Sequence, residues 1–307
     1  MLLGMLRTLF FLALLSGLAH AHIFATYNIR YDNSGDASRG NAWNERGSVI
    51  AKMVRFHGFD LFGTQEGFLH QMQDLQKLLP EHALLTHGRD DGKDKGEHVG
   101  IFYRKDKFKL LNSGRFWLSE TPEKASTGWD AALPRLCTWG EFSDLAAKKS
   151  FYVFNIHFDH RGAKARRESA KLLREMARKI AGDSPVILLG DFNSGQDSKV
   201  HQILADKKIF TAAFELSPIK LATVGTANGF DPNADTQTRI DHLFLTKHFR
   251  VERYGILTDS YRSQNNMSSD KEAGSRNFPK EIRFEKSLAR LPSDHFPVVI
   301  KAEWIKP

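Results

Sequence analysis

The chain has 307 residues, of which 41% are hydrophobic and 26% are charged. This is the composition of an ordinary globular protein, and it excludes a predominantly disordered chain. The net charge of +8 favours anionic partners without saying which ones. Because Cys137 is the single cysteine, no intramolecular disulfide can form, and stability must come from an apolar core.

The first 21 residues are organised like a secretory signal peptide. Arg7 is their only charged residue, an apolar run covers 9–18, and an AHA cleavage motif ends at Ala21. The apolar run is too short to span a bilayer. We therefore expect cleavage near Ala21 and export to the periplasm or the medium. Residues 22–307 are expected to form a single monomeric domain without stable membrane insertion.

The predicted elements alternate between strands and helices along the chain. Asn44 is predicted to cap a first helix that ends at Gly58, because apolar residues recur between them at helical spacing. Further amphipathic helices are predicted over 68–79 and 164–181. Strands are predicted over 22–29, 60–64, 99–103, 107–118, 136–142, 151–158, 185–189, 240–245 and 297–302.

Polar stretches interrupt this pattern. The sequence GRDDGKDKG at 88–96 is interpreted as a solvated turn, since it lacks the ordered ligand spacing of a calcium loop. Polar insertions at 223–238 and 259–292 are expected to be loops that either shape substrate access or simply cover the surface. The helix at 164–181 carries seven basic residues, which indicate a solvated face more strongly than a polyanion-binding one.

Polar and ionisable residues follow one apolar strand after another. Because side chains alternate faces along a strand, Asp191 and Asn193 point together while Phe192 points into the core. The same alternation puts His157 and Asp159 on one face. Sites in open α/β sheets form outside the carboxyl ends of strands, so we expect these endings to converge. They are TYN at 26–28, TQE at 64–66, NIHFDH at 155–160, GDFN at 190–193, IDHLF at 240–244 and SDHFPV at 293–298.

These residue types suit the hydrolysis of a phosphate ester. The reaction needs a hard cation to neutralise charge, a base to activate water, and hydrogen-bond donors for the phosphoryl oxygens. Oxygen ligands such as Glu66, Asp294 and Asn28 suit Mg²⁺ or Mn²⁺, whereas a structural zinc site would require cysteines and clustered histidines. A turn at GDFN or a helix-start acid at Glu66 would explain each motif singly, but the six together favour function.

The order and spelling of the six motifs resemble the endonuclease/exonuclease/phosphatase superfamily, in particular a bacterial secreted branch of it. The superfamily includes DNase I, exonuclease III-like repair nucleases, neutral sphingomyelinases and inositol polyphosphate 5-phosphatases. The likeness extends from Thr26 to Val298. It implies an α/β (α+β) fold, a four-layer sandwich in which two mixed, mostly antiparallel sheets pack face to face with helices outside. The residue pattern alone predicts only a mixed α/β protein.

The resemblance also implies roles for individual residues. Glu66 resembles the principal metal ligand, with Asn28 and Asp294 helping to hold the ion or its waters. Asp191 resembles the group that aligns or deprotonates the attacking water, and Asn193 resembles the group that positions this water or the phosphate. One or two ions of Mg²⁺ or Mn²⁺ are compatible with this set, because Asp191 and Asn193 also suit a second ion.

The remaining implied roles concern the phosphate. His295 resembles the histidine that binds the scissile phosphate, and Asp241 resembles its orienting carboxylate, which would keep the imidazole charged. His157 resembles a second phosphate-facing histidine, supported by Glu97 through a weaker local match. Candidates for further phosphate contacts are Arg135, by resemblance, and Asp159 and Arg30, whose alternative roles are capping or ordinary surface packing.

The function expected from this set is direct in-line attack of water on a phosphate mono- or diester of a small phosphorylated molecule. A secreted DNase I-like endonuclease acting on nucleic acid is the alternative, and the basic charge favours it. The absence of an interleaved aromatic and basic patch in the sequence speaks against it. A catalytically silent binding module on the same scaffold is the third hypothesis, disfavoured because all the expected ligands are present.

Overall fold

The computed structural model describes residues 21–264 and 287–305, which form two large β-sheets with helices on their outer faces. Residues 1–20 of the predicted signal peptide lie outside this description, as does much of the insertion predicted at 259–292. Within the described ranges, no helix combines the length and apolar character that crossing a membrane would need.

Six helices and fifteen strands alternate along the described residues. The helices are α1 Ser34–Ser38, α2 Trp43–Phe56, α3 Leu69–Leu78, α4 Ala163–Ala181, α5 Lys199–Leu204 and α6 Ala213–Leu216. The strands are β1 Ala21–Asn28, β2 Leu61–Gln65, β3 His82–Gly88, β4 His98–Arg104, β5 Phe108–Trp117, β6 Leu136–Asp144, β7 Lys149–His157, β8 Val186–Asp191, β9 Thr211–Ala212, β10 Ile219–Leu221, β11 Asp241–Leu245, β12 Phe249–Ile256, β13 Tyr261–Gln264, β14 Ser287–Arg290 and β15 Val298–Trp304.

The strands form two mixed sheets that are mostly antiparallel. The larger sheet has the order β10-β12-β15-β1-β2-β4-β3, and the smaller one has the order β5-β6-β7-β8-β11-β9. The parallel pairs are β1 with β2, β7 with β8, and β10 with β12. Strands β13 and β14 pair separately as a two-stranded sheet within the insertion predicted as a loop.

Three apolar clusters fill the spaces between four layers. The central cluster joins the facing sides of the two sheets and includes Phe24 of β1, Phe151 of β7, Leu189 of β8 and Val298 of β15. A second packs α2 and α3 on the larger sheet, and a third packs α4 and α5 on the smaller one. Each such fully buried side chain contributes about 1.5–3 kcal/mol, so these clusters hold the layers together. The four-layer sandwich implied by resemblance is therefore confirmed.

The predicted N-cap of helix α2, Asn44, is wrong by two residues. Helix α2 begins at Trp43, its N-cap is Ala42, and the predicted cap Asn44 is exposed inside the first turn. Tertiary contacts set this start, because Trp43 Nε1 donates a hydrogen bond to Asp74 on α3 at 3.1 Å. The predicted stop at Gly58 lies just after the observed end, where its φ of 66° requires the conformational freedom of glycine.

Candidate active site

The sheet registers bring the predicted polar strand endings to one end of the sandwich. His157 of β7 lies opposite Asp191 of β8, which in turn lies opposite Asp241 of β11. Directly paired residues project from the same face of a sheet, so these three side chains form a row. In the other sheet, Asn28 of β1 pairs with the last residue of β2, and Glu66 follows immediately.

The acidic side chains at this end converge on common points. Ligand atoms of Glu66, His157 and Asp191 lie within 4.8 Å of one another, and so do those of Asp191, Asp241 and His295. Asn28 connects the sheets here, because its Nδ2 donates to Glu66 Oε1 at 2.9 Å and to Asp191 Oδ2 at 3.1 Å. Residues from both sheets and from opposite ends of the chain therefore share one pocket of oxygen and nitrogen donors.

This donor set fits a hard divalent cation. Burial and the negative charge of Asp241 raise the pKa of Asp191, and burial raises the pKa of Asp294 although the charge of His295 opposes it. Glu66 adds further negative charge beside Asp294. A cation would relieve this repulsion and return the carboxyl groups to their ionised forms. Carboxylate and amide oxygens are suitable ligands for Mg²⁺ or Mn²⁺.

His295 and Asp241 form a buried pair. The Nδ1 atom of His295 lies 2.9 Å from Asp241 Oδ2, and its Nε2 atom lies 3.9 Å from Asp191 Oδ2. Burial alone would lower the pKa of His295, but the charge of Asp241 and its hydrogen bond raise it well above the ordinary value. The imidazole is therefore charged, with its Nε2–H directed into the pocket as a donor for an anionic group.

His157 is held differently, because a guanidinium rather than a carboxylate bonds its ring. Arg135 Nη1 donates to His157 Nδ1 at 3.0 Å, and burial and the charge of Arg135 lower the pKa of His157 well below the ordinary value. The ring is neutral, and its proton lies on Nε2, which is 3.6 Å from Asp191 Oδ2. Glu97 Oε2 lies 3.8 Å from His157 Nδ1 but bonds Arg89. Burial raises the pKa of Glu97 to about 7.

Two candidate phosphate contacts are occupied by other groups. Arg30 donates from Nε to Asp36 at 2.8 Å, and its Nη1 lies 3.6 Å from Glu66 Oε2 and 3.4 Å from Asp294 Oδ2. Arg30 therefore holds the carboxylates of Glu66 and Asp294 in position.

Asp159 is held by the loop before α4. Its Oδ1 accepts hydrogen bonds from the backbone N–H groups of Arg161 and Gly162, and its Oδ2 lies 3.4 Å from Arg135 Nε. The carboxylate of Asp159 orients that arginine and this loop.

Left-handed backbone conformations occur at three residues of the site. Arg30 has a φ of 57°, Glu66 a φ of 69° and Asn193 a φ of 45°. Such conformations cost about 1–3 kcal/mol each and persist where surrounding bonds fix them. At Asn193, the backbone N–H donates to Asp191 Oδ1 at 2.8 Å and the side-chain Nδ2 donates to the carbonyl of Phe158 at 2.9 Å. These turns aim the side chains into the pocket.

Several supporting residues escape the sequence analysis. Arg46 of α2 is fully buried, and its guanidinium donates to the backbone carbonyls of Ile29, Asn41 and Pro292 at 2.8–2.9 Å. Ser293 Oγ donates to the carbonyl of the last residue of β1 at 2.6 Å. Their partners are backbone carbonyls, which leave no pattern in a sequence. Arg89 and Asp36 are also not predicted, although their partners Glu97 and Arg30 lie only eight and six positions away along the chain.

The four-layer sandwich and its pocket of carboxylates and histidines define a class of phosphoester hydrolase. The protein belongs to the endonuclease/exonuclease/phosphatase family, whose model matches residues 25–295. Members of this family hydrolyse phosphate esters and generally depend on divalent metals, so the chain is a phosphoric ester hydrolase with candidate metal ligands in its pocket.

Solved structures similar to this chain come from the same family. A family protein from Bacteroides thetaiotaomicron is 44% identical, with a TM-score of 0.86, covering 94% of this chain and 100% of that chain. A mannosyl-6-phosphatase from Bacteroides thetaiotaomicron VPI-5482 is also 44% identical, with a TM-score of 0.84, covering 93% of this chain and 100% of that one. The human Nocturnin catalytic domain, 17% identical with a TM-score of 0.64 over 93% of this chain and 94% of its own, shares the fold.

Proposed function

We propose that the protein is an exported, Mg²⁺-dependent phosphomonoesterase that releases phosphate from a phosphorylated hexose. The observation that carries this proposal is the convergence of Glu66, Asp191 and the Asp241–His295 pair in one pocket. Similarity to a mannosyl-6-phosphatase over nearly the full length of both chains supports a sugar phosphate as the substrate. The predicted signal peptide supports export, and N-terminal sequencing of the periplasmic or secreted fraction would test it by finding His22 as the first residue.

Each group in the pocket takes a role in an in-line displacement. Glu66, Asn28 and Asp294 would hold the cation, which neutralises phosphoryl charge when bound. Asp191 accepts a proton from the attacking water, a role open to its carboxylate once the cation has returned it to the ionised form. His295 donates from Nε2 to a phosphoryl oxygen. The water oxygen bonds to phosphorus, the bond from phosphorus to the sugar oxygen breaks, and the sugar alcohol takes a proton from solvent.

A nuclease is the second candidate, and the basic face of α4 favours it. This helix exposes Lys164, Arg167, Lys171, Arg178 and Lys179, a charge pattern that suits a polyanion. The similar structures at 44% identity, by contrast, include a sugar phosphatase.

Comparing three substrates separates the two candidates. The mature chain, from residue 22, would be assayed with mannose 6-phosphate, bis-p-nitrophenyl phosphate and supercoiled plasmid, each with Mg²⁺ and with EDTA. We expect kcat/KM for the monoester to exceed that for the diester by at least about 100-fold, and EDTA to abolish both. Plasmid nicking without phosphate release from mannose 6-phosphate would contradict the proposal.

A further inference from the structure

We propose that Tyr31, Asp32, Phe68 and His70 form the subsite that binds the sugar ring attached to the scissile phosphate. We call these four residues the aromatic wall. The inference rests on the proposed phosphomonoesterase function and adds to it the surface that recognises the leaving group. The wall belongs to the loop after β1 and to the start of α3, and none of its residues is among the groups assigned above to the cation or the phosphate.

The wall is attached directly to the catalytic pocket. The backbone N–H of Tyr31 donates to Glu66 Oε2 at 3.4 Å, and Phe68 follows Glu66 by two residues. The guanidinium carbon of Arg30, which braces Glu66 and Asp294, lies 4.4 Å from the centroid of the Tyr31 ring. A substituent on a phosphate held in the pocket therefore has these aromatic rings within reach.

The two aromatic rings are paired but incompletely buried. The centroids of Tyr31 and Phe68 are 5.8 Å apart with an interplanar angle of 68°, an edge-to-face arrangement. Both side chains are half-buried, and neither belongs to the apolar clusters of the core. Aromatic surface left partly open beside a polar pocket is a common feature of small-molecule sites, where it packs on the apolar face of a ligand.

Polar groups flank the rings and select the kind of ligand. Asp32 Oδ2 lies 3.1 Å from His70 Nε2, and both side chains are exposed, by 38% and 52% respectively. A carboxylate accepts hydrogen bonds from hydroxyl groups and repels the phosphates of a polynucleotide. An aromatic face beside a carboxylate and an imidazole therefore suits an uncharged, polyhydroxylated ring better than a nucleic acid strand.

A single buried side chain fixes the wall in place. Gln71 of α3 is fully buried, and its Oε1 accepts the backbone N–H groups of Asp32 at 2.9 Å and Phe68 at 3.0 Å. Its Nε2 donates to the carbonyl of Arg30 at 3.0 Å. One amide thus joins the loop after β1 to the start of α3, so both halves of the wall are preorganised before substrate arrives.

The test compares a substrate that has a ring with one that lacks it. Phe68→Ala and Asp32→Asn would be assayed with mannose 6-phosphate and with ethyl phosphate in the presence of Mg²⁺. We expect kcat/KM for mannose 6-phosphate to fall roughly tenfold or more, mainly through KM, while kcat/KM for ethyl phosphate changes less than about twofold. Phe56→Ala, which removes an 85% exposed phenylalanine of α2, is the matched control and should change neither value.

Two results would overturn the inference. Equal losses on both substrates would mean that the wall supports the catalytic pocket rather than the ring, and unchanged kinetics on mannose 6-phosphate in both variants would mean that the ring binds elsewhere. Asp32→Asn keeps the size of an exposed side chain, so it remains informative if Phe68→Ala fails to fold. Failure of the proposed function itself is distinguishable, because the unaltered protein would then release no phosphate from either monoester.

Discussion

Both ends of the sandwich bury acidic side chains, but their surroundings shift the pKa values of these carboxyl groups in opposite directions. At the end where β1 begins, Asp144 Oδ2 lies 2.7 Å from His22 Nε2 and accepts a hydrogen bond from Trp304 Nε1 at 2.8 Å. Beside it, Asp60 accepts a hydrogen bond from Lys107 at 2.6 Å. Although burial opposes it, these partners lower the pKa of Asp60 and lower that of Asp144 to about 2.

At the catalytic end, the acids lack enough partners of opposite charge. Asp191 and Asp294 have raised pKa values, because burial and neighbouring carboxylates outweigh the charges of His295 and Arg30. Burial alone does not separate the two clusters, because the side chains of Asp144 and Asp191 are both almost fully buried; the hydrogen bonds and charges around each carboxylate add the difference. A cluster that neutralises itself stabilises the fold, whereas a cluster with surplus negative charge is suited to a cation.

The largest effect is expected when one carboxylate is removed from the catalytic end. We expect Glu66→Gln or Asp191→Asn to lower kcat on the order of 10³-fold or more while leaving the free energy of unfolding unchanged or increased, since repulsion is relieved. Phosphate release and urea unfolding would measure the two quantities. Activity near that of the unaltered protein in both variants would move the site elsewhere.

The opposite end should respond in the reverse manner. Asp144→Ala leaves His22 buried beside Asp60 without its main partner, so the free energy of unfolding should fall by about 3–5 kcal/mol. The activity of the folded fraction should stay near normal. Asp106→Ala is the control, since it removes a 58% exposed partner of Arg104 and should cost less than about 1 kcal/mol. Equal losses in the two variants would refute the contrast.

Cation binding should stabilise the protein through the catalytic end of the sandwich only. At a free Mg²⁺ concentration 100 times its Kd, the unaltered protein should gain about 2.7 kcal/mol, visible as a higher Tm by differential scanning fluorimetry. Glu66→Gln should show a much smaller increase, because it has lost the principal candidate ligand. Asp144→Ala should keep the full increase despite its lower starting Tm. If the Tm of the unaltered protein did not change on addition of Mg²⁺, that result would argue against a cation site.

The smallest expected effect concerns pH. Burial would lower the pKa of His22, but Asp144 and Asp60 outweigh it and raise this pKa above 6.5. The stabilisation is therefore complete below pH 6.5 and is lost as pH rises through the folded-state pKa. Each tenfold difference in proton affinity between the folded and unfolded chain is worth about 1.4 kcal/mol. Urea unfolding between pH 5 and 9 should show a larger loss in the unaltered protein than in His22→Gln, which keeps only the contributions of the other titrating groups. If the free energies of unfolding of the two proteins changed in parallel with pH, His22 would not be the cause of the loss.

Much of the fold is predictable because its central strands are continuous apolar runs. Strand β8 is buried along its whole length, and its apolar run predicts it, as similar runs predict β1, β2 and β7. Strand β3 escapes prediction, since this sheet-edge strand is only partly buried and carries His82, Thr86 and His87 among its apolar residues. Strand β12 escapes prediction as well, and its register is broken between Val251 and Arg253.

The sequence predicts which residue types meet in the site, but not which side chains hydrogen-bond to one another there. Strand endings indicate that Glu66, Asp191 and His295 meet, and they lie in one pocket. The resemblance gives His157 a phosphate-facing role like that of His295; its Nε2–H can still donate, but its ring is neutral because burial and the charge of Arg135 lower its pKa. Which guanidinium contacts which ring depends on the register of β6 and β7, a long-range property that local spacing does not contain.

The pairing of β1 with β15 has a consequence for synthesis of the protein. Thr26 lies opposite Val298, and beyond this pair Ser293 Oγ donates to the carbonyl of Asn28 at 2.6 Å, although the two residues are 265 positions apart. A nascent polypeptide that has not yet reached residue 294 carries Asn28 and Glu66 without Asp294 and His295. Such an unfinished product lacks a proposed cation ligand and the histidine proposed to bind the phosphate, so we expect hydrolysis only after the final segment has joined the sheet.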